Sequence, residues 1–317
     1  MPAPEFNPIL LELPSQIESR SIPSETQPIT ANSDRRYRMP TKLAITLLAF
    51  CCVSASAAYC PASSRFEAAI PPGRGIFMVG ERHGTNELPE LAWQIVCTKL
   101  RAGGSVIVAL EIPSDEQPRI QAFLASPDTD KGAEQELLKG KFWRRPLTTG
   151  QDGRSSKAVF ELLKNARAAR TRGAPIGVAA VDMLSDGSEL PGPLGINGNE
   201  RGYQRDLTMM RNIVVRWNSH PDFSIVALLG VVHASKTIGT PWDSNAWTAG
   251  WALSHFAPVF AVGYKTSKEG ASWNCRRSID RLDCRSHLTR VDELELGPFD
   301  LIVEVDHLSA SPPAVEQ

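Results

Sequence analysis

The sequence contains no G-x-S-x-G, no H-E-x-x-H, no Walker loop and no G-x-G-x-x-G between a strand and a helix. Those absences disfavour a serine hydrolase, a zincin and a dinucleotide enzyme. There is no C-x-x-C, so a structural zinc site is not expected. Charge of one sign is also missing: 34 basic and 35 acidic residues leave a formal net charge of −1. Such a balance gives no electrostatic case for a nucleic-acid partner or an anionic membrane surface. No internal repeat at a period of 20 to 50 residues is visible. Only six histidines are present in 317 residues, which makes the context of each informative.

What is present begins with a leader-like pattern. Residues 1–38 are polar and Pro-dotted and are expected to be a disordered extension. A basic stretch, RRYRMPTK, then precedes ten apolar or small residues at 44–53 and the small-residue run SASA. This is the order of a secretory signal, here 39–57, and its apolar core is too short to span a bilayer. A short membrane anchor is the alternative; a lipoprotein signal is disfavoured because Phe50 precedes Cys51. Cleavage after Ala57 would remove 57 of 317 residues and leave 260, compatible with one α/β domain over 58–310 and a disordered tail at 311–317. The expected location is periplasmic or secreted, without a stable membrane anchor after cleavage. Four cysteines then remain, an even number that favours disulfides in an exported protein. Cys275 and Cys284 flank a short polar segment and pair most naturally with each other, leaving Cys60 to pair with Cys97.

Short apolar runs alternate with amphipathic ones. Strands are expected at 75–79, 105–111, 176–182, 224–231, 259–264 and 301–305, most without polar alternation, as in strands buried on both faces. Helices are expected at 86–101, 155–172 and 199–218, each with apolar residues at helical spacing. The pattern predicts an α/β fold: a mixed, mainly parallel sheet flanked by helices. A short antiparallel edge near the C-terminus, pairing 270–275 with 301–305, is expected to complete it. The Gly/Pro-rich stretch 185–199 reads as a lid or rim.

Two runs end in the same way: IFMVGERH and IVALLGVVH, each an apolar run followed by Gly-x-x-His. A strand that ends in this manner delivers an imidazole to the end of a sheet, where open α/β folds bind ligands. The remaining strand ends extend the inventory. Glu111 closes VIVALE, an expensive place for a charge unless it is paired or catalytic. Asp182 closes the third run, where it either caps the next loop or faces the site. Glu87 lies in the first turn of a helix and serves either the helix dipole or the site. Arg154 ends the aromatic and arginine-rich segment KFWRRPLTTGQDGR. Arg205 and Asp206 sit near a helix start and face either the site or solvent. His220, His255, His287 and His307 lack this context and read as surface or packing residues.

Taken in order, GERHGTNELPE, ALEIP, QDGRSS, a strand ending in Asp182, RDLTMMRNI and LLGVVHASK resemble a superfamily. It joins erythromycin-esterase-like proteins, ChaN-like haem-binding uptake proteins and the Tiki/TraB group. The resemblance runs from about Gly75 to Lys236, with a looser tail to about residue 307. It implies a mixed α/β sheet with histidines and acids at one rim, and carries over His83, Glu111 and His233, with Glu87 less surely matched. It implies no single activity, since its branches include water-activating esterases, metal-dependent peptidases and haem-binding lipoproteins. The haem branch uses a tyrosine ligand, for which Tyr59, Tyr203 and Tyr264 are the candidates here.

The expectation is an exported hydrolase of the ester or peptide class. His83 or His233 would be the general base, Glu111 would orient it or hold charge, and the other imidazole and Arg154 would stabilise an oxyanion. Glu87, Asp182 and Arg205 join Arg154 as candidate substrate contacts. A divalent metal held by His83, Glu111 and His233 is one variant. A haem or iron-compound binding protein without turnover is the alternative. The expected partner is a small-molecule or peptide substrate.

Overall fold

Apolar runs without polar alternation need cover on both faces, and the fold supplies it. The computed structural model describes residues 60, 66–147, 151–187, 201–241, 243–277, 282–290 and 298–316, with backbone only at 201–203. The extension 1–38, the signal at 39–57 and most of the stretch 185–199 lie outside the described residues. The chain runs β1 (Ile76–Glu81), α1 (Glu87–Arg101), β2 (Ser105–Pro113), α2 (Gln117–Ala125), α3 (Lys131–Leu138), α4 (Lys157–Thr171) and β3 (Ile176–Asp182). It continues through α5 (Arg201–Ser219), β4 (Phe223–Gly230), the single turn α6 (Val231–Ala234), β5 (Ile238–Thr240), β6 (Asp243–Trp247) and α7 (Ala249–Leu253). The last elements are β7 (Val259–Thr266), β8 (Gly270–Arg277), β9 (Leu282–Thr289) and β10 (Leu301–Val305).

Six strands form one parallel sheet in the order β10-β7-β1-β4-β2-β3. Alternate residues of β1, β2, β3 and β4 enter opposite cores, whereas β10 buries one face only. Phe77 and Val79 pack with the apolar faces of α1 and α4, including Leu88, Leu91, Ile95, Val159, Leu162 and Leu163. Ile76 and Met78 pack with Leu207, Met210 and Ile213 of α5 and with α7. The helical periodicities therefore coincide with the buried faces, and no helix among the described residues is long and apolar enough to cross a membrane.

Two expectations need correction. The segment 270–275 does not pair with 301–305: β8 forms an antiparallel hairpin with β9, whereas β10 adds in parallel to β7. The hairpin is closed by the Cys275–Cys284 disulfide, and Cys60–Cys97 ties the start of the described chain to α1. Nor do residues 311–316 behave as a tail. Ser311 is fully buried, and backbone bonds run from Ser311 N to Gly84 O and from Ala314 N to Ser155 O.

Candidate functional site

β4 is inserted between β1 and β2, and this placement builds the site. The carboxyl ends of β1, β4, β2 and β3 stand side by side, each bringing an ionisable group to one rim. Glu81, the last residue of β1, is abreast of Gly230, the last of β4. Gly230 is the centre of the cluster. A Cβ built on it would lie 3.0 Å from His83 Nε2, 3.2 Å from His233 Cδ2 and 3.4 Å from Glu111 Oε2. Those two imidazole atoms are therefore no more than 6.2 Å apart, the sum of the first two distances. The glycine of the second Gly-x-x-His leaves the space into which both rings and the carboxylate crowd.

The cluster has two layers. The outer one lines an open cleft of about 350 Å³ formed by Glu81, Arg82, His83, Asp152, Gly230–His233, Asn274 and Cys275. His83 Nδ1 is 3.0 Å from Glu81 Oε2, and its Nε2 faces Glu111 Oε1 at 3.5 Å. Burial lowers the affinity of this ring for a proton, but the carboxylates of Glu111 and Glu81 outweigh it and push the pKa up to about 10. His83 is an imidazolium at neutral pH. His233 is held differently: its Nδ1 lies 2.8 Å from Asp206 Oδ1, which also accepts the Ala249 N–H at the start of α7. His233 lines the cleft, and Glu81 Oε1 is a buried oxygen without a hydrogen-bond partner among the described residues.

The inner layer is an ion-pair network. Glu111 Oε2 accepts the Gly230 N–H at 2.6 Å, and Oε1 accepts Arg205 Nη2 at 2.5 Å, with Arg154 Nη1 at 3.5 Å. Asp182 receives Arg205 through Nε and Nη2, and Arg154 through Nη1. Arg154 also reaches Asp152 through Nε. Burial disfavours the charged form of Glu111, but Arg205, His83 and His233 reverse that and hold its carboxyl well below the usual range. The same carboxylates raise both guanidinium groups against the opposing effect of burial.

The structure thus gathers His83, Glu111 and His233 but sorts the candidate substrate contacts differently. Arg154, Asp182 and Arg205 brace Glu111 from behind and do not line the cleft. Glu87 lies outside it: its carboxylate accepts the N–H and hydroxyl of Ser309 and tethers the C-terminal segment. Two residues gain weight. Asp206, not Glu111, is what His233 Nδ1 meets; in sequence it reads as one charge among several on α5. Glu81 shares the side of His83, as the two-residue spacing of extended chain would place it.

This donor set does not fit a divalent cation. Both ring nitrogens of His83 face carboxylate oxygens and carry protons, both oxygens of Glu111 are already engaged, and two guanidinium groups stand in the same layer. No group of three or more His, Cys, Asp or Glu among the described residues is arranged to hold a metal. As an imidazolium, His83 has no lone pair to give iron and is not a haem ligand. Tyr264 lines a different cavity of about 50 Å³. Tyr59 lies outside the described residues, as does the side chain of Tyr203.

No family model matches the chain, and no curated protein sequence matches it. Solved structures do share its fold. A Bacillus cereus protein aligns with a TM-score of 0.54 at 11% identity, covering 77% of this chain and 91% of its own. A succinoglycan biosynthesis protein aligns at 0.53 and 12% identity, covering 79% and 93%. An erythromycin esterase, solved as a mutant in an open conformation, aligns at 0.49 and 12% identity over 67% and 76%. At such identities the likeness to the first two is one of fold.

Proposed function

We propose that the chain is an exported hydrolase that adds water to an ester or amide carbonyl without a metal. The observation that carries this is a pair of imidazoles in one cleft, each held by a carboxylate through Nδ1 but placed in opposite roles. With Nδ1–H given to Asp206, His233 presents the Nε2 lone pair and is the general base. His83, charged between Glu81 and Glu111, is the acid. A general base and acid of this type contribute roughly 10²–10⁴-fold each.

In the reaction His233 Nε2 takes a proton from water as the oxygen attacks the carbonyl carbon. The carbonyl π pair moves to oxygen, and the charge that develops is met by the His83 imidazolium. Collapse expels the alcohol or amine, which takes a proton from His83. Return of a proton from His233 to His83 through solvent resets the pair. Glu111, fixed by the Gly230 N–H and Arg205, keeps His83 charged at the start of each cycle. The two disulfides support export, since such bonds persist in oxidising compartments.

A panel of p-nitrophenyl esters and short peptides, assayed with and without EDTA, tests the reading. Turnover that survives EDTA and disappears in His233→Asn supports it. Turnover restored only by an added divalent cation overturns the metal-free reading. Absence of turnover together with a Soret band on haemin addition favours the binding alternative.

A further inference from the structure

We infer that Ser311 is a positioning residue for this site, lacing the loop that carries His83 to the helix start that follows Arg154. The inference rests on the hydrolase reading for its kinetic consequences, though not for its geometry. Ser311 is fully buried in a strip of chain, 309–314, whose composition (SASPPA) predicts nothing of the kind.

The strip runs between two loops and bonds to both. On one side Ser309 O accepts the Asn86 N–H at 3.1 Å, Ala310 bridges to Thr85, and Ser311 N donates to Gly84 O at 2.8 Å. On the other side Ser311 Oγ accepts the Ala158 N–H at 3.0 Å, Pro312 O accepts the Lys157 N–H at 2.8 Å and Ala314 N donates to Ser155 O at 2.9 Å. His83 directly precedes the first set of residues, and Arg154 directly precedes the second. Ser311 alone bonds both sets, through its backbone to Gly84 and its hydroxyl to Ala158.

The two loops also meet each other without slack. Gly84 has φ +75°, and a Cβ on it would overlap the Trp273 carbonyl. A Cβ on Gly153 would lie 2.5 Å from Gly84 N. The Gly84 carbonyl takes N–H bonds from both Trp273 and Ser311, so β8 grips it from one side and the C-terminal strip from the other. With no side chain to cushion the crossing, a change in the strip is passed to the neighbouring residues, His83 and Arg154. A hydroxyl that accepts a helix-start N–H satisfies a half-buried donor that would otherwise lack this partner. Ser311→Ala orphans Ala158 N–H and lets the start of α4 shift, and with it Arg154, which braces Glu111 and Asp182.

The test compares Ser311→Ala with Ser311→Thr, which keeps the oxygen, in the full chain. Hydrolysis of p-nitrophenyl butyrate gives kcat and KM, thermal unfolding gives stability, and NMR of the labelled imidazole gives the titration midpoint of His83. The expected result for Ser311→Ala is a kcat lower by about tenfold, in line with the sensitivity of catalysis to sub-ångström misplacement. KM stays within about twofold, the His83 midpoint is displaced, and Ser311→Thr restores both. An unchanged kcat with an unchanged midpoint overturns the inference. So does a loss of rate that merely follows the folded fraction. If the wild type turns over no ester, the hydrolase reading falls while the His83 midpoint still decides the role of Ser311. If Ser311→Ala does not fold, Ser309→Ala loosens the same strip at its less buried end and is read in the same way.

Discussion

His233 and Asp206 form the unit on which the base role depends, and each is useless in it without the other. Asp206 fixes the Nδ1 proton; without it the ring is free to rotate or to present the wrong tautomer. His233→Asn and Asp206→Asn are therefore expected to lower kcat by roughly 10²–10⁴-fold each. The double variant should be little worse than the worse single one, because residues acting together lose function together. Purely additive losses in the steady-state rate would separate Asp206 from the base. Gly230 makes a different demand. The Cβ of alanine would press on His83 Nε2, His233 and Glu111 at 3.0–3.4 Å, so the neighbours must give by a few tenths of an ångström. Gly230→Ala is expected to cost about 1–3 kcal/mol in unfolding free energy, as overpacking does. The loss of turnover should exceed what that destabilisation explains, and chemical denaturation alongside kinetics separates the two. A fully active Gly230→Ala would show that the crowding is not used.

At the level of elements, the disulfide hairpin β8–β9 is more than an edge decoration. Trp273 N bonds Gly84 O, Cys275 N bonds Gln151 O at 2.7 Å, and Asn274 and Cys275 line the cleft. The cross-link spans a separation of nine residues, worth about 2–3 kcal/mol in the chain-entropy account. Replacing Cys275 and Cys284 by serine is expected to speed amide exchange at Trp273 and Cys275 and to lower kcat. Replacing Cys60 and Cys97 should lower the melting temperature but spare the rate, since that bond ties the start of the described residues to α1 away from the cleft. Equal effects on kcat from the two pairs would show that the hairpin has no special part in the site. The sequence made some of these elements easier to read than others. The inner parallel strands were legible because burial on both faces demands unbroken apolar runs, β10 because its one buried face still leaves a short apolar run, and the long helices because one face is buried. The hairpin was misread because β8 and β9 mix half-buried and exposed residues, with no apolar run to mark a partner. The short helices α2 and α3 carry too few buried positions to stand out. The C-terminal strip is held by backbone bonds and by two serine hydroxyls, neither of which leaves an apolar pattern in the sequence.

For the molecule as a whole, strand order did what the sequence could not. Parallel strands put His83, Glu111, Asp182 and His233 on one side, but only the insertion of β4 between β1 and β2 makes them neighbours. That arrangement also ties stability to pH. The His83 ring is raised from 6.5 to about 10, against the opposing effect of burial, by Glu111 and Glu81. Folding therefore takes up a proton here between those values. Its stabilisation is complete below about 6.5 and is lost as the pH rises through about 10. Glu111 acts in the other direction: its folded form is depressed below 4.5, so its contribution is present above that value and lost as the pH falls. Burial lowers Lys99 with no dependence on His83, so its effect appears equally in variants of the site. The wild-type melting temperature is expected to hold a plateau between about pH 4.5 and 6.5 and to decline toward pH 10. His83→Gln should flatten that basic decline relative to the wild type, and Glu81→Gln should move the basic limb of hydrolysis to lower pH. Thermal unfolding from pH 4 to 10 in the two proteins isolates the difference; parallel basic slopes would mean that His83 is not held as an imidazolium. The acid role proposed for it would fall with that result, even if His233 still proved to be the base.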